Sequence, residues 1–237
     1  MYKLIDYSHW NLNGKGNNIL TQLTPHEIQV WQKALPFQDK RNDKGHAEFV
    51  TYFAVNLLKY VKAERGIVVP AAILHDIGWS QMSKEEIAQF YLPNWRDFEP
   101  QLRKRHQEEG VNLAGKILDG VNYPQEFIPK ILEIISQHDT RQGFLNSEDG
   151  IARDADKIWV FSLPCCRLAI RKKRNFNKSI YDQLSEWLSQ KGFFYLDISR
   201  ETAKIEFQNT LNNLDEAQRD YLKNRQKFLN INLLIRT

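Results

Sequence analysis

Six histidines punctuate the chain: His9, His26, His46, His75, His106 and His138. The last four fall on or beside four successive segments that carry apolar residues at helical spacing. Burying four imidazoles in one small core is costly unless each finds a partner. A metal centre would satisfy all of them together. Two acidic signals accompany the histidines. In AILHDIG, the pair His75-Asp76 closes an apolar helix, and both side chains can reach one ion placed near the helix end. In ARDADKI, Asp156 is followed by Ile158, Trp159 and Val160, so it faces a mostly buried environment. A carboxylate there needs a cation or a network of donors. His9 and His26 lie outside this constellation and read as structural or solvent-exposed.

The elements that must position these groups are helices. Thr24, Pro25 and Glu27 form a helix start with a capping box, and the helix runs to Leu35. A polar loop, residues 37–45, carries Lys40, Arg41 and Lys44. His46 to Ala63 reads as a long helix on which His46, Val50, Phe53 and Leu57 share one stripe. Pro70 is expected to open a central helix over Ala71 to Ile77, with Trp79 packed nearby. Ser83 and Glu86 cap a short helix. Further helices are expected over Glu99–Leu118, Pro129–His138, Ile151–Phe161, Cys165–Arg171 and Ser179–Gln190. Residues 193–198 read as a short strand or a turn. A last helix covers Glu201–Leu229, divided around Asn212 and Asn213. The expected fold class is all-α: an N-terminal arm over 1–23, a helical hydrolase-like domain over 24–175, and a C-terminal helical extension over 176–237 packed on it.

The order His46, then His75-Asp76, then Asp156 resembles the HD domain superfamily of metal-dependent phosphohydrolases, over roughly residues 40–165. The resemblance implies an HD-domain-like helical bundle with additional C-terminal helices, in which His46, His75, Asp76 and Asp156 share one ion. His106 and His138 lie where dinuclear members place the ligands of a second ion. The similarity therefore implies six ligands, with Asp76 as the bridge. Two other readings of His106 and His138 stay open: phosphate contact or proton donation beside a single ion, and ordinary core histidines. Asp139 is expected to order a histidine, bind substrate or cap the loop, and Asp154 to act as a cap, a salt bridge or an indirect support.

Imidazole and carboxylate together suit Mn²⁺, Fe²⁺, Co²⁺, Ni²⁺ or Zn²⁺, with Mg²⁺ a weaker match for so much nitrogen. Such an ion lowers the pKa of a bound water and stabilises charge on phosphoryl oxygens. The expected activity is phosphohydrolysis of a nucleotide or another small phosphorylated metabolite. His75, Asp76, His106, His138 and Asp139 are its candidate catalytic residues. Arg41, Lys44, Trp79 and Arg141 are the candidate substrate contacts. Trp79 stands where many members of the superfamily have a lysine, which loosens any transfer of a particular substrate. No Gly-Tyr-Pro motif follows the His-Asp pair, so the cyclic dinucleotide branch is not indicated. A dinuclear iron oxygenase with the same ligand set, and a catalytically weak regulatory protein, are the alternatives.

Lys plus Arg number 33 against 29 Asp plus Glu, a formal charge of +4 that only slightly favours anionic partners. The basic residues lack the interleaved aromatic platform of a single-strand nucleic-acid binder, so nucleic acid is not an expected partner. Cys165 and Cys166 are adjacent and read as reduced. The run Arg171 to Arg174 reads as a solvated helix end. No apolar run is long enough to span a bilayer, and the N-terminal residues lack the pattern of a secretion signal. A cytoplasmic location is the expectation, with a homodimer contact through the C-terminal helices left open.

Overall fold

The computed structural model describes residues 19–41, 43–89, 98–171 and 179–223. Most of the expected arm, the basic run beyond Arg171 and the last part of the C-terminal helix lie outside them. Among the described residues the chain is all-α. Its helices are α1 (Pro25–Ala34), α2 (His46–Leu57), α3 (Arg65–Leu74), α4 (Lys84–Gln89), α5 (Glu99–Gly120) and α6 (Ile128–Ser136). They continue as α7 (Ser147–Trp159), α8 (Leu163–Arg171), α9 (Ile180–Ser189), α10 (Asp197–Asn213) and α11 (Glu216–Lys223). No helix among them is long and apolar enough to cross a membrane.

Helix α1 starts as its sequence dictates. The Thr24 side chain accepts the Glu27 amide, and Glu27 accepts the Thr24 amide at 2.8 Å. Helix α3 is the centre of the bundle, touching α1, α2, α6 and α7. It is buried from Ile67 to Leu74. It begins at Arg65 rather than at Pro70, which lies inside it. A proline there leaves the carbonyl four residues earlier without its amide partner. That carbonyl is Gly66 O, and it accepts a hydrogen bond from the Tyr123 hydroxyl at 2.9 Å. A tertiary contact thus supplies what the proline withholds.

Helix α2 ends at Leu57, short of Ala63, because the amides of Lys59 and Tyr60 tighten onto Asn56 O and Leu57 O. Its start is organised by the preceding loop. Gly45 takes a positive φ of 88°, and the Asp39 carboxylate accepts the amides of Gly45 and Ala47 at 2.7 and 3.1 Å. Gln38 ties the same loop to Ile73 O at the end of α3. The beginning of α2 and the end of α3 therefore meet at one end of the bundle, with the loop across them.

After α3 the chain makes a 3-10 helix, Ile77–Gln81, that packs along α5. The approach is backbone on backbone: a Cβ on Gly78 would stand 1.8 Å from His106 O and 2.5 Å from Gly110 N. Gly110, an unpromising residue in the middle of a helix, is where α5 receives this turn. The hydrophobic core runs without a break from α1 through Phe194, Phe207 and Leu222 of the C-terminal segments. Residues 193–196 form a turn and not a strand, because Asp154 on α7 accepts the amides of Tyr195 and Leu196 at 2.8 and 2.9 Å and starts α10. Cys165 and Cys166 are free, and Cys166 is buried with its thiol on Val160 O.

Gly78→Ala is expected to lower stability by at least about 3 kcal/mol, since backbone cannot yield as a side chain would. Urea unfolding measures this, and a wild-type midpoint would contradict the packing described. On α10, burial raises the Glu206 carboxyl from 4.5 to about 7. The folded state then holds a proton that the unfolded chain releases. Stability is full below pH 4.5 and declines as pH rises through 7, by at most about 3 kcal/mol. Unfolding curves at pH 5 and pH 8 isolate this share by difference: Glu206→Gln should lose less stability than the wild type between the two, by at most about 3 kcal/mol.

Candidate metal centre

Five elements deliver the site. His46 comes from the first turn of α2, and His75 and Asp76 from the end of α3. His106 comes from mid α5, His138 from just past α6, and Asp156 from α7. All four histidines are buried, and His106 is fully so. Their Nε2 atoms converge in pairs. His46 Nε2 and His75 Nε2 are 3.0 Å apart, and Asp156 Oδ1 lies 3.1 and 3.5 Å from them. His106 Nε2 and His138 Nε2 are 3.4 Å apart. Asp76 stands between the pairs with one oxygen toward each. Its Oδ2 is 3.7 Å from both His46 Nε2 and His75 Nε2, and its Oδ1 is 3.7 and 3.4 Å from His106 Nε2 and His138 Nε2.

The tautomers follow from the backbone. The Nδ1 atoms of His75, His106 and His138 lie 2.9, 3.3 and 2.8 Å from the carbonyls of Ala72, Leu102 and Ile135. A carbonyl can only accept, so each Nδ1 carries a proton and Nε2 is the atom each ring turns to the cluster, as a lone pair whenever the ring is neutral. His106, His138 and Asp76 Oδ1 then present three acceptor atoms to one another, with Asp139 Oδ2 a fourth at 3.5 and 3.8 Å from the two histidines. No proton within this group can serve all of these contacts; one cation can. Donors that share an ion through bonds of about 2.1 Å lie about 3.0–3.4 Å apart, which the two Nε2 pairs match. His46 differs: its buried Nδ1 has no hydrogen-bond partner, and Asp43 Oδ2 is 3.7 Å away.

Electrostatics sort the groups. Burial works against ionised Asp76, but Arg41 and His75 hold it well below the usual carboxylate range. Burial likewise opposes ionised Asp139, and Arg103 with the two histidines brings it down to about 2. For His106 burial wins and lowers it to about 4. For His75 burial is outweighed by Asp76 and Asp156, which carry it up to about 9. For His138 burial is outweighed by Asp139 and a hydrogen bond to Asp76, and the direction is upward.

Arg41 meets Asp76 Oδ2, and its Nε donates to Asp43 Oδ2 at 3.1 Å. It lines the mouth of the site with Gln38, Asp39, Lys40 and Trp79. Trp79, proposed from sequence as a substrate contact, is 1% exposed and sits beneath that mouth with its indole on Asp76. Lys44 is exposed and does not line the mouth. Nor does Arg141, whose guanidinium reaches Glu133 O. Asp139 joins the cluster, and Asp154 stays outside it, holding the amides of Tyr195 and Leu196 just ahead of α10 and raised by burial to about 6. His26 is exposed.

Three participants escaped the sequence reading. Arg103 Nη1 holds Asp139 Oδ1 at 2.8 Å. Gln107 accepts the Asp139 amide, and Asp43 anchors Arg41. Arg105, adjacent to His106 in sequence, turns away and pairs with Glu86. The usable signal was spacing: Arg103 precedes His106 by three residues and so shares its helix face.

Neither a protein-family model, nor a curated protein, nor a solved structure matches this chain. Fold and site together define an all-α protein with a buried His/Asp cluster able to hold metal. Purified protein loaded with Mn²⁺ or Co²⁺ and desalted is expected to carry two ions per chain by elemental analysis. Asp76→Ala should carry none, and His106→Ala one. Equal loading of His106→Ala and wild type would contradict the division into two positions.

Proposed function

We propose that the chain is a metal-dependent phosphohydrolase of the HD domain superfamily, acting on a nucleotide or another small phosphorylated metabolite. The observation that carries this reading is the division of Asp76 between two histidine pairs directly beneath the Arg41 guanidinium. His46, His75, Asp76 and Asp156 would hold one ion, and His106, His138 and Asp76 a second, with Asp139 alongside. Ions so held supply a water of lowered pKa and positive charge for phosphoryl oxygens.

The remaining work falls to the chain's own groups. Arg41 lies at the boundary between cluster and mouth, with Lys40 beside it. A guanidinium suits two phosphate oxygens at once. Asp39 and Gln38 fix the loop that carries Arg41 to the ends of α2 and α3. Asp139, kept ionised and oriented by Arg103, offers its Oδ2 as a proton acceptor on the His106–His138 side. Two arginines beside so acidic a cluster support an anionic substrate.

A phosphate-release screen over nucleotides and sugar phosphates, with Mn²⁺, Co²⁺, Ni²⁺, Fe²⁺ and Mg²⁺, tests the reading. Turnover is expected with at least one transition metal. Arg41→Ala should lower kcat/KM by about 10²-fold, the usual scale for one lost charge-stabilising donor. Oxygen uptake by the iron-loaded protein without phosphate release would instead favour an oxygenase.

A further inference from the structure

A carboxylate turns easily about its last torsion. For Asp76 to keep one oxygen on each side, something must fix its plane. Arg41 meets Oδ2. The other oxygen, Oδ1, accepts the indole N–H of Trp79 at 3.0 Å. Oδ1 is also the oxygen that faces His106 and His138. The same indole lies flat against the His106 imidazole, with ring centroids 4.2 Å apart and planes 13° from parallel.

The backbone explains why this residue can do both. Trp79 follows Asp76 by three positions, and in the 3-10 helix that Asp76 caps, side chains three positions apart eclipse. The Trp79 amide donates to Asp76 O at 3.2 Å and closes that turn. Gly78 then presses the turn against the His106 carbonyl, where no side chain would fit. Asp76, Trp79 and His106 are thus held as a unit. The His46, His75 and Asp156 side is met by Arg41, whose guanidinium lies over the Trp79 ring at 5.0 Å from its centroid, whereas the indole N–H goes to Oδ1; a phenylalanine would keep a ring under Arg41 and lose only the N–H.

We propose that Trp79 is a positioning residue for the second ion alone: its N–H keeps Asp76 Oδ1 turned toward His106 and His138, and its ring fixes the His106 plane. This rests on the two-position reading of the cluster. A carboxylate oxygen has room for both a hydrogen bond and an ion, and outer partners of this kind commonly govern affinity by 10- to 100-fold.

The test is calorimetric titration of metal-stripped wild type and Trp79→Phe with Mn²⁺, with unfolding curves in chelator as a check on the fold. Phenylalanine keeps the stacked ring and removes the donor. Two ions in the wild type, and a second ion weakened at least about 10-fold in the variant with the first unchanged, is the expected result. Unchanged affinity for both ions, or equal weakening of both, overturns the role of Trp79 while leaving the metal centre intact. Fewer than two ions in the wild type overturns the two-position reading and this inference with it. A measurement on the wild type alone guards against a variant that fails to fold. The Trp79 indole signal, assigned by triple-resonance NMR, should resist solvent exchange and shift with the second equivalent of Zn²⁺. A shift confined to the first equivalent, or free exchange, contradicts the proposal.

Discussion

The structure depends on one electrostatic problem: three carboxylates and four imidazole Nε2 atoms turned toward one another in one largely buried cluster. The carbonyls of Ala72, Leu102 and Ile135 take the Nδ1 protons, so His75, His106 and His138 turn Nε2 to the cluster and offer it lone pairs when the rings are neutral. Asp76, Asp139 and Asp156 add negative charge. Arg41 and Arg103 relieve part of this, each from the outer side of a carboxylate. What remains is a set of His and Asp atoms close enough together that they could hold a metal ion.

That arrangement is made by close contacts in the helices around the cluster. Pro70 keeps α3 continuous only because Tyr123 supplies the missing donor to Gly66 O. Gly78 and Gly110 allow the 3-10 turn after Asp76 to reach the backbone of α5 at His106. On the other side, α7 brings Asp156 to His46 and His75. Its own position is fixed through Asp154, which starts α10, and through Lys157, whose ammonium donates to Phe193 O at 2.6 Å. The residues either side of Asp156 in its stretch of α7 thus tie the C-terminal helices to the centre.

Much of this was legible in the sequence. The capping boxes at Thr24 and Ser83 and the all-α class follow from local chemistry and helical period, whereas the convergence of His46, His75, Asp76 and Asp156 was implied by the resemblance of their order to a known superfamily. Pro70 misled, because its tolerance depends on a hydroxyl 53 positions away in the chain. Residues 193–198, open in the sequence between a short strand and a turn, turn at 193–196 because α7 captures the amides of Tyr195 and Leu196. Charges adjacent in sequence to a candidate ligand were weaker guides than charges one helical turn away. Lys44, beside the loop's end, faces solvent, and Arg105 turns to Glu86, whereas Arg103 reaches Asp139. The role of Trp79 needed the 3-10 geometry, which nothing in the local composition specifies.

Anomalous diffraction from crystals grown with Mn²⁺, recorded on both sides of the manganese edge, tests the central claim most directly. Two peaks are expected, one on each side of the Asp76 carboxylate and each within bonding reach of one Nε2 pair. A single peak elsewhere in the molecule, or no peak with the four histidines still converged, would contradict it.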